Sequence, residues 1–314
     1  MASPSAAPSP EKQKVYEAVV DVLFKAFHTP VGFRPVHAKG IICEGLFTPS
    51  AGAASLSRAA HFQSAVPVYV RLSDFTGIPN IPDTDPNANP RGLALKFRLP
   101  GGAETDIVAH SVNGFPAATA EELLEFLQAV VTSGPDTPHP TPVENFLGTH
   151  PAALAFVSAT KLPPVSFSTE AFYAVNAFRF VNKNGIAVYA RYQVQPVDGE
   201  KHLTEAETAQ QTPDFLFDEL RQRLANKPFE LKLLAQLAGE GDDVNNGSVT
   251  WPDNRPRVEL GTIKVLKPLE DSDAAQRRMI FDPVRVTDGI ELSDDPLPPA
   301  RSAVYSISYA RRNP

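Results

Sequence analysis

Short runs in which apolar and polar residues alternate, joined through local turns and not through helices at a fixed spacing, restrict the fold of this 314-residue chain more than any other feature. In residues 68–73, Val68, Val70 and Leu72 share one face while Tyr69, Arg71 and Ser73 share the other, because successive side chains of a strand point to opposite sides. After a Pro-rich loop over 78–90, Leu93, Leu95, Phe97 and Leu99 interleave with Ala94, Lys96 and Arg98 in the same way. Residues 178–181 and 186–194 flank Asn182-Lys183-Asn184-Gly185, where Asn-Gly supplies the positive φ values of a tight hairpin turn, and 258–265 predicts another strand. The helical signals stand apart from these. Val15, Val19, Val22, Leu23, Ala26 and Phe27 recur at helical spacing from Pro10 until just before Pro30. Thr119 with Glu122 reads as a capping box ahead of Leu123, Leu124, Phe126 and Leu127, and Thr212-Pro213 opens a helix running to about Asn226. A short polar helical stretch follows the 258–265 strand, and a last helix follows the Pro-rich passage over 283–299. With no βαβ rhythm and no internal repeat, the pattern predicts the α+β class, an antiparallel sheet or barrel carrying helical insertions.

Composition narrows the function. A net charge of -7 gives no basic field to attract nucleic acid or an anionic membrane surface. Cys43 is the only cysteine, so neither a disulfide framework nor a thiolate metal cluster is available, and Cys43 itself reads as a small buried hydrophobe. No run of about 18 apolar residues occurs, which predicts no spanning helix. The first ten residues are small and Pro-rich, without a basic start or apolar core, and read as a loose tail; the cytoplasm is the expected compartment, or the periplasm if a leader has been removed. The expected organisation is an N-terminal tail and helix over 1–30 and a single domain over 31–314. Trp251 reads as core or rim, and the run Glu240, Asp242, Asp243 lacks the spacing of a calcium loop.

Three places carry side chains suited to chemistry. His37 lies in Arg34-Pro35-Val36-His37-Ala38-Lys39-Gly40, entering a strand-like run after the first helix; Arg71 and Ser73 share a strand face; Arg301 and Tyr305 stand one helical turn apart, so the cation reaches the phenol oxygen. Taken singly, each has an ordinary structural explanation, as a core histidine, a salt-bridged strand edge and a surface pair.

Together, in this order, they resemble the heme catalase family. His37-Ala38-Lys39-Gly40 matches its distal His-Ala-Lys-Gly, Arg71-Leu72-Ser73 its Arg-Phe-Ser, and 89–97 (Asn-Pro-Arg-Gly-Leu-Ala-Leu-Lys-Phe) its Asp-Pro-Arg-Gly run. The hairpin over 181–189 is similar to Val-Asn-x-x-Gly-x-x-Val-Tyr, and Arg301-x-x-x-Tyr305 with Arg312 falls on the proximal helix. The resemblance runs over about 36–312, with only a short segment before His37 and two residues after Arg312, and so is nearest to the minimal, catalase-related peroxidases.

The resemblance implies an antiparallel β-barrel of the catalase type with a C-terminal proximal helix, binding heme, most simply heme b. It implies Tyr305 as the iron ligand supported by Arg301, His37 as the acid–base group supported by Ser73, Arg71, Arg91 and Arg312 on the heme carboxylates, and Val36 and Leu123 as apolar walls. The implied activity is a heme peroxidase that reduces hydrogen peroxide or organic hydroperoxides with a small organic electron donor, with weak catalase activity; association with copies of itself is left open. One departure stands out: where catalases place a distal asparagine, 106–113 lines up so that His110 takes its position, the alternative being that His110 turns away and Asn113 fills the pocket. The competing readings are a hydroperoxide-rearranging enzyme of the same fold, like an allene oxide synthase, and a non-catalytic heme-binding barrel, against which His37 with Ser73 argues.

Overall fold

In the computed structural model, which describes residues 8–159 and 162–313, the alternating segments close on themselves. The strands are β1 (Gly40–Pro49), β2 (Val66–Ser73), β3 (Gly92–Arg98), β4 (Glu104–His110), β5 (Phe172–Tyr173), β6 (Phe178–Val181), β7 (Ala187–Pro196), β8 (Phe229–Leu237), β9 (Arg257–Pro268) and β10 (Ile290–Leu292). Hydrogen-bonded neighbours run β1-β2-β3-β4-β5-β7-β8-β9 and back to β1, all antiparallel, so eight strands form a closed barrel; β6 and β10 extend the sheet from the first half of β7. The barrel is filled. Cys43, Val70, Leu95 and Ile107 lie in register across four strands and point inward, and the rings of Phe47 and Phe97 meet edge to face at 5.2 Å. Each such side chain contributes roughly 1.5–3 kcal/mol on burial, and an eight-stranded barrel packed in this way leaves no lumen for a ligand.

Binding must therefore happen outside, under the helices. These are α1 (Pro10–Phe27), α2 (Ala53–Leu56), α3 (Ala120–Val131), α4 (Pro142–Thr149), α5 (Pro151–Ser158), α6 (Glu205–Thr208), α7 (Phe215–Asn226), α8 (Ser272–Arg278) and α9 (Leu297–Arg312). Tyr16 of α1 packs on Ala120 of α3 and Ala300 of α9, which ties those three helices into one layer facing β2, β3 and β4. Among the described residues no helix is long and apolar enough to cross a membrane. The tail expected over the first ten residues falls, up to residue 7, outside the described residues.

Several local expectations are corrected. Only Gly185 of the Asn-Gly pair has positive φ, at 77°, and Asn182 accepts from the Gly185 amide, so the hairpin is a turn closed by a left-handed glycine and not a two-residue loop. The Glu122 carboxylate reaches back to the amide of Ala118 instead of Thr119, while the Thr119 hydroxyl caps the Glu122 amide as expected. The helix expected from Thr212-Pro213 begins at Phe215, with Asp214 at the N-cap position and the Leu216 amide donating to the Asp83 carboxylate at 2.8 Å. His37 lies outside any strand, with φ at 58°, ahead of β1.

Candidate active site

On the outer face of the barrel, register aligns Ser73 with Gly92 and Gly92 with His110 in one row, and Arg71 with Ala94 and Ala94 with Val108 in the next. The middle strand supplies only a hydrogen and a methyl group, which leaves a shelf between two rows of larger side chains. Above it α9 presents Leu297, Arg301, Tyr305, Ser308 and Arg312, whose three- and four-residue spacing puts them on one face. Val19 and Leu23 of α1 and Leu123 and Phe126 of α3 close the sides, enclosing a largely apolar cavity of about 240 Å³.

His37 is fixed from several directions. Its amide donates to Phe75 O at 2.5 Å, Arg71 Nη2 donates to its carbonyl at 2.7 Å, and the Phe75 ring meets the imidazole edge-on at 5.5 Å. Nδ1 lies 2.8 Å from Asp74 O and 3.2 Å from Ser73 Oγ. A carbonyl only accepts, so Nδ1 carries the proton and Nε2 is left as a base. Burial, reinforced by Arg71, pushes the imidazole down to about 3, so the ring is neutral at physiological pH. Gly92 is required beneath it: a Cβ there would come within 2.5 Å of Ser73 Oγ and 2.6 Å of His37 Nδ1.

Behind His37 lies a buried ionic cluster. Arg91 pairs with the Asp74 carboxylate through Nη1 and donates from Nη2 to Asp83 O at 2.6 Å. Lys39 Nζ donates to Asp83 at 2.5 Å, to Asp214 at 2.6 Å and to Ile81 O at 2.8 Å. Arg91 is thus spent on Asp74 and does not line the cavity, which corrects its expected role as a holder of cofactor carboxylates. It serves the site at one remove, by holding the residue whose carbonyl receives the His37 proton.

At the far end of the cavity stand three guanidinium groups, those of Arg71 and Arg312 buried and that of Arg34 half-buried. Arg71 donates to Gln276 Oε1 at 3.0 Å, Arg34 to Met279 O at 2.7 Å and Arg312 to Met279 O at 3.0 Å, and none of the three makes an ion pair among the described residues. Burial pulls Arg71 down to about 9 and Arg312 to about 10, and Arg34 also falls through burial and the repulsion of its two neighbours. Such a trio lacks its counter-anions, and the cavity suits a flat apolar ring system carrying carboxylates.

On α9, Tyr305 Oη accepts from Arg301 Nη2 at 2.9 Å and Nε at 3.2 Å. Arg301 Nη1 donates to Asn176 Oδ1 at 2.8 Å, and Asn176 in turn donates to Asp295 at 2.8 Å, so the arginine is held in line with the phenol by a buried chain. His110 lines the cavity between Phe115 and Phe156, with Nδ1 3.4 Å from the Val112 amide, whereas Asn113 does not line it and its carbonyl accepts from Thr250.

The family model for catalase matches residues 18–313. The chain belongs to the catalase family. Within the family it is similar to a catalase-related peroxidase of Mycolicibacterium paratuberculosis, 35% identical over 285 residues that cover 90% of this chain and 89% of that one. It is also similar to a catalase-related peroxidase of Synechococcus elongatus, 32% identical over 302 residues covering 94% and 88%. A fungal catalase structure shares the fold with a TM-score of 0.79 at 20% identity, over 99% of this chain and 65% of that one.

Catalases depend on heme, and this catalase-family cavity brings together Val36, His37, Arg71, Ser73, His110, Leu123, Arg301, Tyr305 and Arg312, leaving out Arg91 alone of the residues the sequence singled out. Arg34, Asp74, Asn176 and Gln276 were missed as parts of the site. Arg34 stood in the quoted histidine segment and carried a signal, being a cation three residues before the histidine; the others act through a backbone carbonyl or through contacts 125 to 205 residues away in sequence, for which local pattern holds no signal.

Proposed function

We propose that this catalase-family enzyme is a heme peroxidase that reduces hydrogen peroxide or an organic hydroperoxide with a small organic electron donor, and that its oxygen-releasing catalase activity is minor. The observation that carries the reading is the placement of a half-buried, neutral His37 and an arginine-bridged Tyr305 around one apolar cavity that ends in three uncompensated arginines. When bound, heme b supplies the iron that exchanges two electrons with peroxide. Tyr305 Oη holds that iron, and the two Arg301 N–H groups offset the negative charge on the oxygen. Arg34, Arg71 and Arg312 take the cofactor carboxylates, satisfying guanidinium groups that the protein leaves without an anion. His37 Nε2 accepts a proton from the incoming peroxide and returns it to the oxygen that leaves as water, while Asp74 O and Ser73 keep Nδ1 oriented. Val36, Leu123 and the shelf of Gly92 and Ala94 keep water away from that exchange.

His110 bears on the balance of activities. Dismutation needs a second peroxide oriented as the reductant, and an amide presents donor and acceptor at fixed geometry, whereas the bulkier imidazole between Phe115 and Phe156 does not. Tyr305→Phe is expected to lose tight heme retention or to shift the absorption spectrum to another ligation state; an unchanged spectrum with full activity would refute the ligand assignment. Oxygen release and donor oxidation measured side by side are expected to favour donor oxidation in the wild type and to shift towards oxygen release in His110→Asn. A wild-type protein that mainly evolves oxygen, with a ratio indifferent to the substitution, would remove His110 from this account.

A further inference from the structure

Outside the cavity, residues 163–171 and 201–203 are fastened side by side. Val165 N donates to Lys201 O at 3.0 Å, Lys201 N to Thr169 O at 3.1 Å and Leu203 N to Pro163 O at 2.9 Å. This zipper brings together Glu170, Glu200 and His202, which offer two carboxylate oxygens and an imidazole nitrogen all within 4.8 Å of one another. Glu170 is 3% exposed, His202 is half-buried and Glu200 is exposed, so the group has a fixed floor and an open mouth.

An ion pair accounts for only part of this arrangement. His202 Nε2 lies 3.3 Å from Glu170 Oε1, beyond the roughly 2.7–2.9 Å of a charge-assisted hydrogen bond. Oε1 also accepts from the Ala171 amide at 3.0 Å, and among the described residues Oε2 accepts no hydrogen bond. No Lys or Arg pairs with Glu170 or Glu200 among the described residues, and burial holds the Glu170 carboxyl above its usual range. A buried carboxylate so placed is short of positive charge. The 3.3 Å separation matches the edge of a tetrahedron, about 3.3–3.4 Å, whose corners lie about 2.0–2.1 Å from its centre, as imidazole nitrogen and carboxylate oxygen do around zinc.

We propose that Glu170, Glu200 and His202 bind a zinc ion, with water as the fourth ligand, and that the metal braces the seam where the barrel closes. Two carboxylates and a neutral imidazole bring the charge of Zn2+ to zero, and the nitrogen donor favours zinc over the oxygen-seeking calcium and magnesium. Glu170 stands two residues ahead of β5, a strand of two residues that joins β4 at the single pair of Tyr173 with His110. Zinc held there pins the entry to the shortest strand of the barrel. The site shares no residue with the cavity of His37 and Tyr305, so it stands whatever that cavity binds.

The untagged full-length protein as isolated, freed of loosely held metal by dialysis against a chelator, is titrated calorimetrically with zinc at neutral pH. One equivalent is expected to bind, to raise the melting temperature, and to show imidazole scattering at the zinc X-ray absorption edge. Glu200→Gln, at an exposed side chain, and His202→Gln should each weaken binding by about a hundredfold, since removing even a hydrogen-bond partner of a ligand costs about 10–100-fold. Both should abolish the rise in melting temperature at one equivalent, and calcium should not displace the zinc. The absence of saturable binding, affinity undiminished in either variant, absorption fine structure without imidazole, or displacement by calcium overturns the site. Saturable binding that leaves the melting temperature unmoved overturns the brace.

Discussion

His37 illustrates how a residue acquires its chemistry from burial. Removed from water and beside Arg71, its imidazole titrates near 3 and not near the ordinary 6.5, so the base needed for proton exchange stays available far into acid. The rate of the first reaction with peroxide is therefore expected to be flat from about pH 5 to about pH 8, and a midpoint near 6.5 for that step would show the ring to be solvated. Stability carries the opposite sign. The unfolded chain binds a proton at His37 below about 6.5 while the folded chain does not until about 3, so folding free energy is lost as pH falls through that window. His61, buried against Phe97 and also pushed down to about 3, adds a second such loss. At pH 5 each histidine costs about 2 kcal/mol, and denaturant midpoints measured between pH 7 and pH 4 should fall accordingly; a stability indifferent to that range would mean the rings are not buried as described.

At the scale of elements, the site depends on what β3 omits. Gly92→Ala places a methyl group against Ser73 and His37, and the ring cannot retreat because its Nδ1 is held by Asp74 O and its backbone by Phe75 and Arg71. The variant should fold and load heme, yet react with peroxide more slowly by about 10²-fold, as expected when a positioned acid–base group is displaced; a wild-type rate in stopped flow would show that the shelf has room to spare. Elements that bury one face were legible in the sequence, as in Val68, Val70 and Leu72 of β2. β1 was not, since Ile41, Ile42 and Cys43 are all buried in succession and the two-residue period disappears. In β8 burial alternates through Phe229, Leu231, Leu233 and Ala235, but the apolar Leu234 on the other face blurs the period in the sequence; the irregularity opposite it is a bulge of β9, where Leu260 is the extra residue. The candidate site was legible where its residues sit in local motifs, His37, Arg71 with Ser73, and Arg301 with Tyr305. It was illegible where function passes through a backbone carbonyl, as at Asp74, or where a partner draws a side chain away, as Asp74 does to Arg91.

The molecule as a whole is a filled cylinder with its chemistry on the outside, so the rigidity of the shelf is the rigidity of the barrel beneath it. Phe97 is fully buried, in contact with Phe47 and His61, and sits on the strand that carries Gly92 and Ala94. Phe97→Ala should lower unfolding free energy by about 3–5 kcal/mol in a denaturant titration, the usual cost of emptying an aromatic site in a core; a loss under about 1 kcal/mol would mean that the interior collapses around the gap. Cys43 points into that same interior, with no exposed surface and its thiol pushed up to about 12 by burial. The chain's single sulfhydryl is thus withheld from any soluble alkylating reagent until the strands part, and the pace at which iodoacetamide labels it becomes a clock for the opening of the cylinder.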